Sequence, residues 1–134
     1  MPTITDIEGI GEKFAEKLRS AGVRTTEALL KKGGTSANRK DLAMQIDVSD
    51  HQILEWVNRA DLYRIKGVGS EYADLLEAAG VDTVRELAKR QAGNLFENLK
   101  MINDEKKKVR KLPTADQVAE WVKQAKSLPR AVEY

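Results

Sequence analysis

Residues 7–30 read IEGIGEKFAEKLRSAGVRTTEALL, and residues 65–88 read IKGVGSEYADLLEAAGVDTVRELA. Aligned at an offset of 58, ten of these 24 positions are identical: Ile7/Ile65, Gly9/Gly67, Gly11/Gly69, Ala15/Ala73, Leu18/Leu76, Ala21/Ala79, Gly22/Gly80, Val23/Val81, Thr25/Thr83 and Leu29/Leu87. Ile10/Val68 and Phe14/Tyr72 keep their apolar and aromatic character. Chance does not produce such a match, and self-similarity at a fixed spacing governs how every local element is read.

The likeness extends to a second segment. Gln52-Ile53-Leu54-Glu55-Trp56-Val57 and Ala60 recur as Gln117-Val118-Ala119-Glu120-Trp121-Val122 and Ala125, now at an offset of 65. The second copy therefore holds about seven more residues between its glycine segment and its tryptophan segment. The chain divides into residues 1–64 and 65–134, the second part carrying a basic insertion near 103–111.

Each copy is punctuated for helix. Phe14, Ala15, Leu18 and Ala21 recur at helical spacing and share one face. Gly22 and Gly80, each followed by valine, suit a left-handed stop in which the valine packs back on the helix. Thr25 and Thr83 suit N-caps, and Thr83 with Glu86 predicts a capping box, as do Ser49 with Gln52 and Thr114 with Gln117. Pro113 and Pro129 bracket the last helix from outside. No stretch alternates with period two. The expectation is an all-α chain of about eight helices, arranged as two pseudo-two-fold-related units in one compact helical domain. Trp56 and Trp121 read as core anchors, one per unit.

Composition narrows the chemistry. Hydrophobic residues at 41% and a net charge of only +2 exclude a natively disordered chain. Without cysteine there is neither a disulfide scaffold nor a thiolate metal site. The single histidine, His51, cannot build a two-histidine zinc site or a facial triad, and it reads as a residue in the first turn of a helix. No catalytic role, no cofactor and no metal are expected. With neither an apolar run of membrane-spanning length nor a basic-then-apolar leader at Met1, the expectation is a cytoplasmic protein with no membrane partner.

The segment Ile65-Lys66-Gly67-Val68-Gly69 lies between two predicted helices. Its apolar pair, Ile65 and Val68, is expected to tuck inward while glycine admits backbone angles that a Cβ forbids. Such a turn ends at a helix N-terminus, where unpaired N–H groups and the positive end of the helix dipole coincide. That is a seat for an anion, and phosphate is a common biological one. Main-chain donors recognise phosphodiester rather than base, so binding through them is indifferent to sequence.

IEGIGEKFAEKL and IKGVGSEYADLL, each followed by AGV-x-T, resemble the helix-hairpin-helix motif of DNA repair, recombination and ligation proteins. The longer pattern Gly-apolar-Gly-x3-Ala-x2-Leu-x2-Ala-Gly-Val-x-Thr is similar to a bacterial family of unknown function with two tandem units of this kind, and the likeness covers nearly the whole chain. It implies contact with the nucleic-acid backbone, DNA rather than RNA, through Gly9, Ile10, Gly11 and Lys13, and through Lys66, Gly67, Val68, Gly69 and Ser70. The chain departs from that pattern at Glu8, Glu12 and Glu71, where carboxylates lie close to the seats. Residues 71–86 carry Glu71, Asp74, Glu77, Asp82 and Glu86 against Arg85 alone.

Residues 100–111, KMINDEKKKVRK, offset this acidity. Lys106, Lys107, Lys108, Arg110 and Lys111 form a basic patch for nucleic acid or for an acidic protein. The repeat further suggests that the Trp121 helix folds back on the first glycine segment, placing Trp121 or Val122 at Ile7 and Ile10. Two functions fit. The first is a sequence-independent DNA-backbone-binding module acting through the glycine amides. The alternative is a protein-interaction or scaffold module that retains the helix-hairpin-helix fold without binding nucleic acid.

Overall fold

The computed structural model describes residues 3–7 and 9–134. A 3₁₀ turn at Ile4–Asp6 precedes eight α-helices: α1 (Glu12–Ser20), α2 (Thr26–Lys32), α3 (Ser36–Ile46), α4 (Asp50–Leu62), α5 (Ser70–Ala78), α6 (Val84–Ala88), α7 (Ala92–Lys106) and α8 (Ala115–Ser127). Among the described residues there is no strand; one isolated bridge joins Thr3 and Thr25. The protein is all-helical, and no described helix is long and apolar enough to cross a membrane.

The chain forms two compact units. One comprises Met1–Asp61 with Arg130–Tyr134, and the other Leu62–Pro129. The last five residues, which follow α8 in the chain, thus belong with the first unit.

Helix ends are set by the residues that suit them. After α1, the Val23 N–H donates to the Leu18 carbonyl at 2.8 Å and the Gly22 N–H to the Arg19 carbonyl at 3.0 Å. After α5, Val81 donates to Leu76 and Gly80 to Glu77, both at 2.9 Å. Both pairs are Schellman motifs, with Gly22 (φ 87°) and Gly80 (φ 88°) in the left-handed position. At the other ends, Thr25, Thr35, Ser49, Thr83 and Thr114 accept the N–H of the residue three further on. The box at α8 is reciprocal, since the Thr114 N–H donates to Gln117 Oε1 at 2.8 Å. At α6 the box expected of Thr83 and Glu86 is one-way: Thr83 accepts from the Glu86 amide, and no return bond accompanies it.

Each tryptophan anchors its own unit. Trp56 is 1% exposed and its ring lies 5.3 Å from that of Phe14 on α1. Trp121 is 2% exposed and lies 5.3 Å from Tyr72 on α5. The rings are tilted by 56° and 51°, a favourable aromatic geometry. Burial of an indole of this size accounts for about 3–5 kcal/mol on truncation to alanine. In the second unit α6 and α7 pack on α8, and Leu76, Leu87, Leu95, Leu99 and Val118 share one buried cluster with Trp121. The first unit buries Ile4, Leu18, Leu29, Leu42 and Ile53.

Candidate anion-binding turns and basic loop

The first glycine turn is built by two short main-chain bonds. Ile7 donates to Ile4 at 3.2 Å and Ile10 to Ile7 at 3.1 Å, with Ile4, Ile7 and Ile10 all buried. The second has the same pattern, Ile65 donating to Leu62 at 3.1 Å and Val68 to Ile65 at 3.2 Å. The Ile10 and Val68 side chains are each 5% exposed. With their side chains buried and their N–H groups spent within the turns, these two expected contact positions have no donor of their own to offer an anion. Gly9, Gly11, Lys13, Lys66, Gly67, Gly69 and Ser70 are exposed. Glu8, one of the departures noted in the sequence, lies outside the described residues.

The two glycines of each turn have different reasons to be glycine. Gly9 (φ 93°) and Gly67 (φ 96°) occupy the left-handed region. A Cβ at Gly9 would lie 3.7 Å from Trp56 Nε1, and one at Gly67 only 3.1 Å from Trp121 Nε1. The first turn is therefore seated on Trp56 and the second on Trp121. In each unit the tryptophan helix that follows the glycine turn in the chain packs against that turn.

Gly11 and Gly69 are under no such constraint. Each is an N-cap with extended angles (φ −81°, ψ −177°; φ −100°, ψ −166°) open to any residue. A Cβ at either position would meet nothing within 4 Å. Serine, threonine or aspartate would serve at least as well for stability there, because their oxygens satisfy first-turn amides. Glycine instead leaves those amides without a side-chain cap from its own position.

Neighbouring side chains treat the two seats differently. Glu12 is drawn along α1 to Arg19, Oε1 to Nη1 at 3.0 Å. In the second unit Glu71 is exposed in the first turn of α5, and Glu77 stands where the repeat would place an arginine. Lys66 is latched at its main chain: its N–H donates to Gln124 Oε1 at 2.8 Å, and its carbonyl accepts from Gln124 Nε2 at 3.2 Å. Gln124 is absent from the sequence-based site because nothing in the α8 pattern distinguishes a latching glutamine from a solvated one.

The basic cluster is an ordered loop at the end of α7. Asn103 grips Val109 from both sides, Nδ2 donating to its carbonyl at 3.2 Å and Oδ1 accepting its N–H at 2.9 Å. Val109 is 7% exposed, whereas Lys106, Lys107, Lys108, Arg110 and Lys111 all face outward. The Lys111 carbonyl accepts from the Tyr72 hydroxyl at 3.1 Å, tying the loop to the third residue of α5.

His51 is exposed on the first turn of α4, its Nε2 3.0 Å from Glu55 Oε1. Among the described residues no cluster of three or more potential metal ligands occurs.

No curated protein and no solved structure matches the chain. A family model does, over residues 8–128, which span both glycine turns, both tryptophan helices and the basic loop. The chain belongs to the family described as domain of unknown function DUF4332.

Proposed function

We propose that each unit is a helix-hairpin-helix module and that the protein binds the nucleic-acid backbone, DNA in preference to RNA, without regard to sequence. The observation that carries this reading is the pair of unconstrained glycines, Gly11 and Gly69, at helix starts where a capping side chain would fit and stabilise. Five other helix starts among the described residues use a hydroxyl cap. Uncapped amides at the positive end of a helix dipole suit a phosphate oxygen. Ile10 and Val68 face inward with their N–H groups bonded within the turns, so the donors left for contact are the uncapped first-turn amides of α1 and α5, and such donors carry no base information. The Glu12–Arg19 pair favours the same reading by moving a carboxylate off the first seat.

Two turns contacting four phosphates give a log–log salt slope of about −3.6 and an affinity on the order of 10⁻⁴ to 10⁻⁶ M at physiological salt. Fluorescence anisotropy with a random-sequence duplex, titrated at low and then raised salt, tests this. Steep salt dependence and equal affinity for unrelated sequences are expected. Absence of binding at low salt would favour a protein-interaction module, a reading that draws its support from the exposed Glu71 beside the second seat.

A further inference from the structure

We infer that the two units are unequal phosphate binders, and that the basic loop at residues 106–111 and the second glycine turn form one composite site for consecutive backbone phosphates of a nucleic acid. This rests on the reading of the glycine turns given above and adds a partner surface to one of them.

The first support is that the loop is held rather than trailing. Asn103 fixes Val109 by two hydrogen bonds, Val109 is buried, and Tyr72 fixes Lys111. Five cations are thereby presented on an ordered main chain, so less conformational entropy is lost when they meet a ligand. Among the described residues none of the five side chains forms an ion pair, so their charge is uncommitted.

The second support is position. Tyr72 is the third residue of α5, whose N-cap is Gly69, so the loop is tied within the first turn of the helix that supplies the second seat. Glu71 lies in that same turn.

The third support is a contrast between the loops that precede the two tryptophan helices. Each leaves its helix through a left-handed C-cap, Asp47 (φ 58°) after α3 and Lys107 (φ 53°) after α7. The first of these loops, residues 47–49, carries Asp47 as its one charged residue, whereas the second is basic. A left-handed position favours glycine or asparagine, so lysine there is not explained by backbone preference. A row of cations tied through Tyr72 to the helix that carries the main-chain donors matches a run of phosphodiesters better than the scattered carboxylates of a protein surface.

Lys107 supplies a test that separates folding from binding. Glycine is better suited than lysine to the left-handed angles, so Lys107→Gly with Lys108→Ala is expected to leave Tm unchanged or raised. With a random duplex, this variant is expected to bind on the order of tenfold more weakly and to flatten the salt slope by about 1.8, or 0.9 for each phosphate that is no longer neutralised. Asn103→Ala keeps every charge while releasing Val109, and is expected to weaken binding as well. Lys40→Ala, an exposed lysine of the first unit, is expected to change affinity far less.

Wild-type affinity and slope in the Lys107→Gly/Lys108→Ala variant, with binding abolished in Gly69→Asp, would overturn the composite site and leave the glycine-turn reading standing. Weakened binding in the loop variant with full binding in Gly69→Asp would overturn both the composite site and the role of that turn. Wild-type protein that binds polyglutamate but not duplex at low salt would assign the loop to an acidic protein and overturn the proposal together with the reading beneath it.

Discussion

The Cβ that any other residue would carry at Gly67 falls 3.1 Å from the indole Nε1 of Trp121. Gly67 is also held at φ 96°, so a substitution there meets a backbone penalty and a steric one together. Gly67→Ala is expected to destabilise the protein by about 1–3 kcal/mol. At Gly9 the corresponding gap to Trp56 is 3.7 Å, an ordinary contact, so Gly9→Ala is expected to cost less, on the order of 1–2 kcal/mol from backbone conformation alone. Urea denaturation of the two variants should rank them in that order. Equal stability of Gly67→Ala and wild type would remove Trp121 as the seat of the second turn.

Carboxylates near the two seats should differ in their effect on binding. Glu12 is engaged with Arg19 at 3.0 Å, whereas Glu71 is exposed on the first turn of α5. Two unit charges at contact distance in water interact by about 1 kcal/mol, so relieving one repulsion is worth roughly fivefold in affinity. Glu71→Gln is therefore expected to strengthen duplex binding by up to that factor at low salt, and Glu12→Gln to change it little. Anisotropy at two salt concentrations checks this, and the gain should shrink as salt rises.

Much of the helical framework is legible in the amino-acid order because its signals are local. The spacing of Phe14, Ala15, Leu18 and Ala21 marks a buried face, and Gly22-Val23 and Gly80-Val81 mark the stops; both stops form as read. Contacts between segments distant in the chain are less legible. Arg39, in the polar-looking run Ser36–Lys40, is only 5% exposed. Its guanidinium donates to the Gly33 carbonyl at 2.9 Å and to the Glu133 carbonyl at 2.7 Å, which fastens the C-terminal residues to the first unit. A buried arginine has no periodic signature, and neither does the segment that it captures.

The candidate site shows the same division. Four glycines in two copies are plain to see, but only backbone angles separate Gly9 and Gly67, which the fold requires, from Gly11 and Gly69, which it does not. The lysine run is visible as charge. Its anchoring by Asn103 and Tyr72 depends on side-chain to main-chain bonds between residues up to 39 positions apart, which no local pattern encodes.

Glu86 gives a prediction on pH. Its carboxyl is raised above the ordinary glutamate range, first by burial and then by Asp82, with Arg90 and Lys89 acting in the opposite sense. The folded protein thus binds this proton more readily than the unfolded chain does. The resulting destabilisation is absent below the unfolded pKa and develops as pH rises through the folded one. Glu86→Gln is expected to raise Tm at neutral pH and to lose that advantage in acid. A Tm difference that does not vary with pH would exclude this cause.

Gly11 and Gly69 decide whether the uncovered amides are used. Replacing both by aspartate adds a self-capping oxygen in open space, and replacing both by alanine adds only a Cβ there. The measurement is duplex affinity at low salt beside Tm for these two variants, with Ala119→Asp on the exposed face of α8 controlling for added negative charge. Loss of binding in the aspartate variant at equal or higher Tm, with binding retained in the alanine variant and in Ala119→Asp, is expected. Undiminished binding by the aspartate variant would contradict the proposal that phosphate is held at these two helix starts.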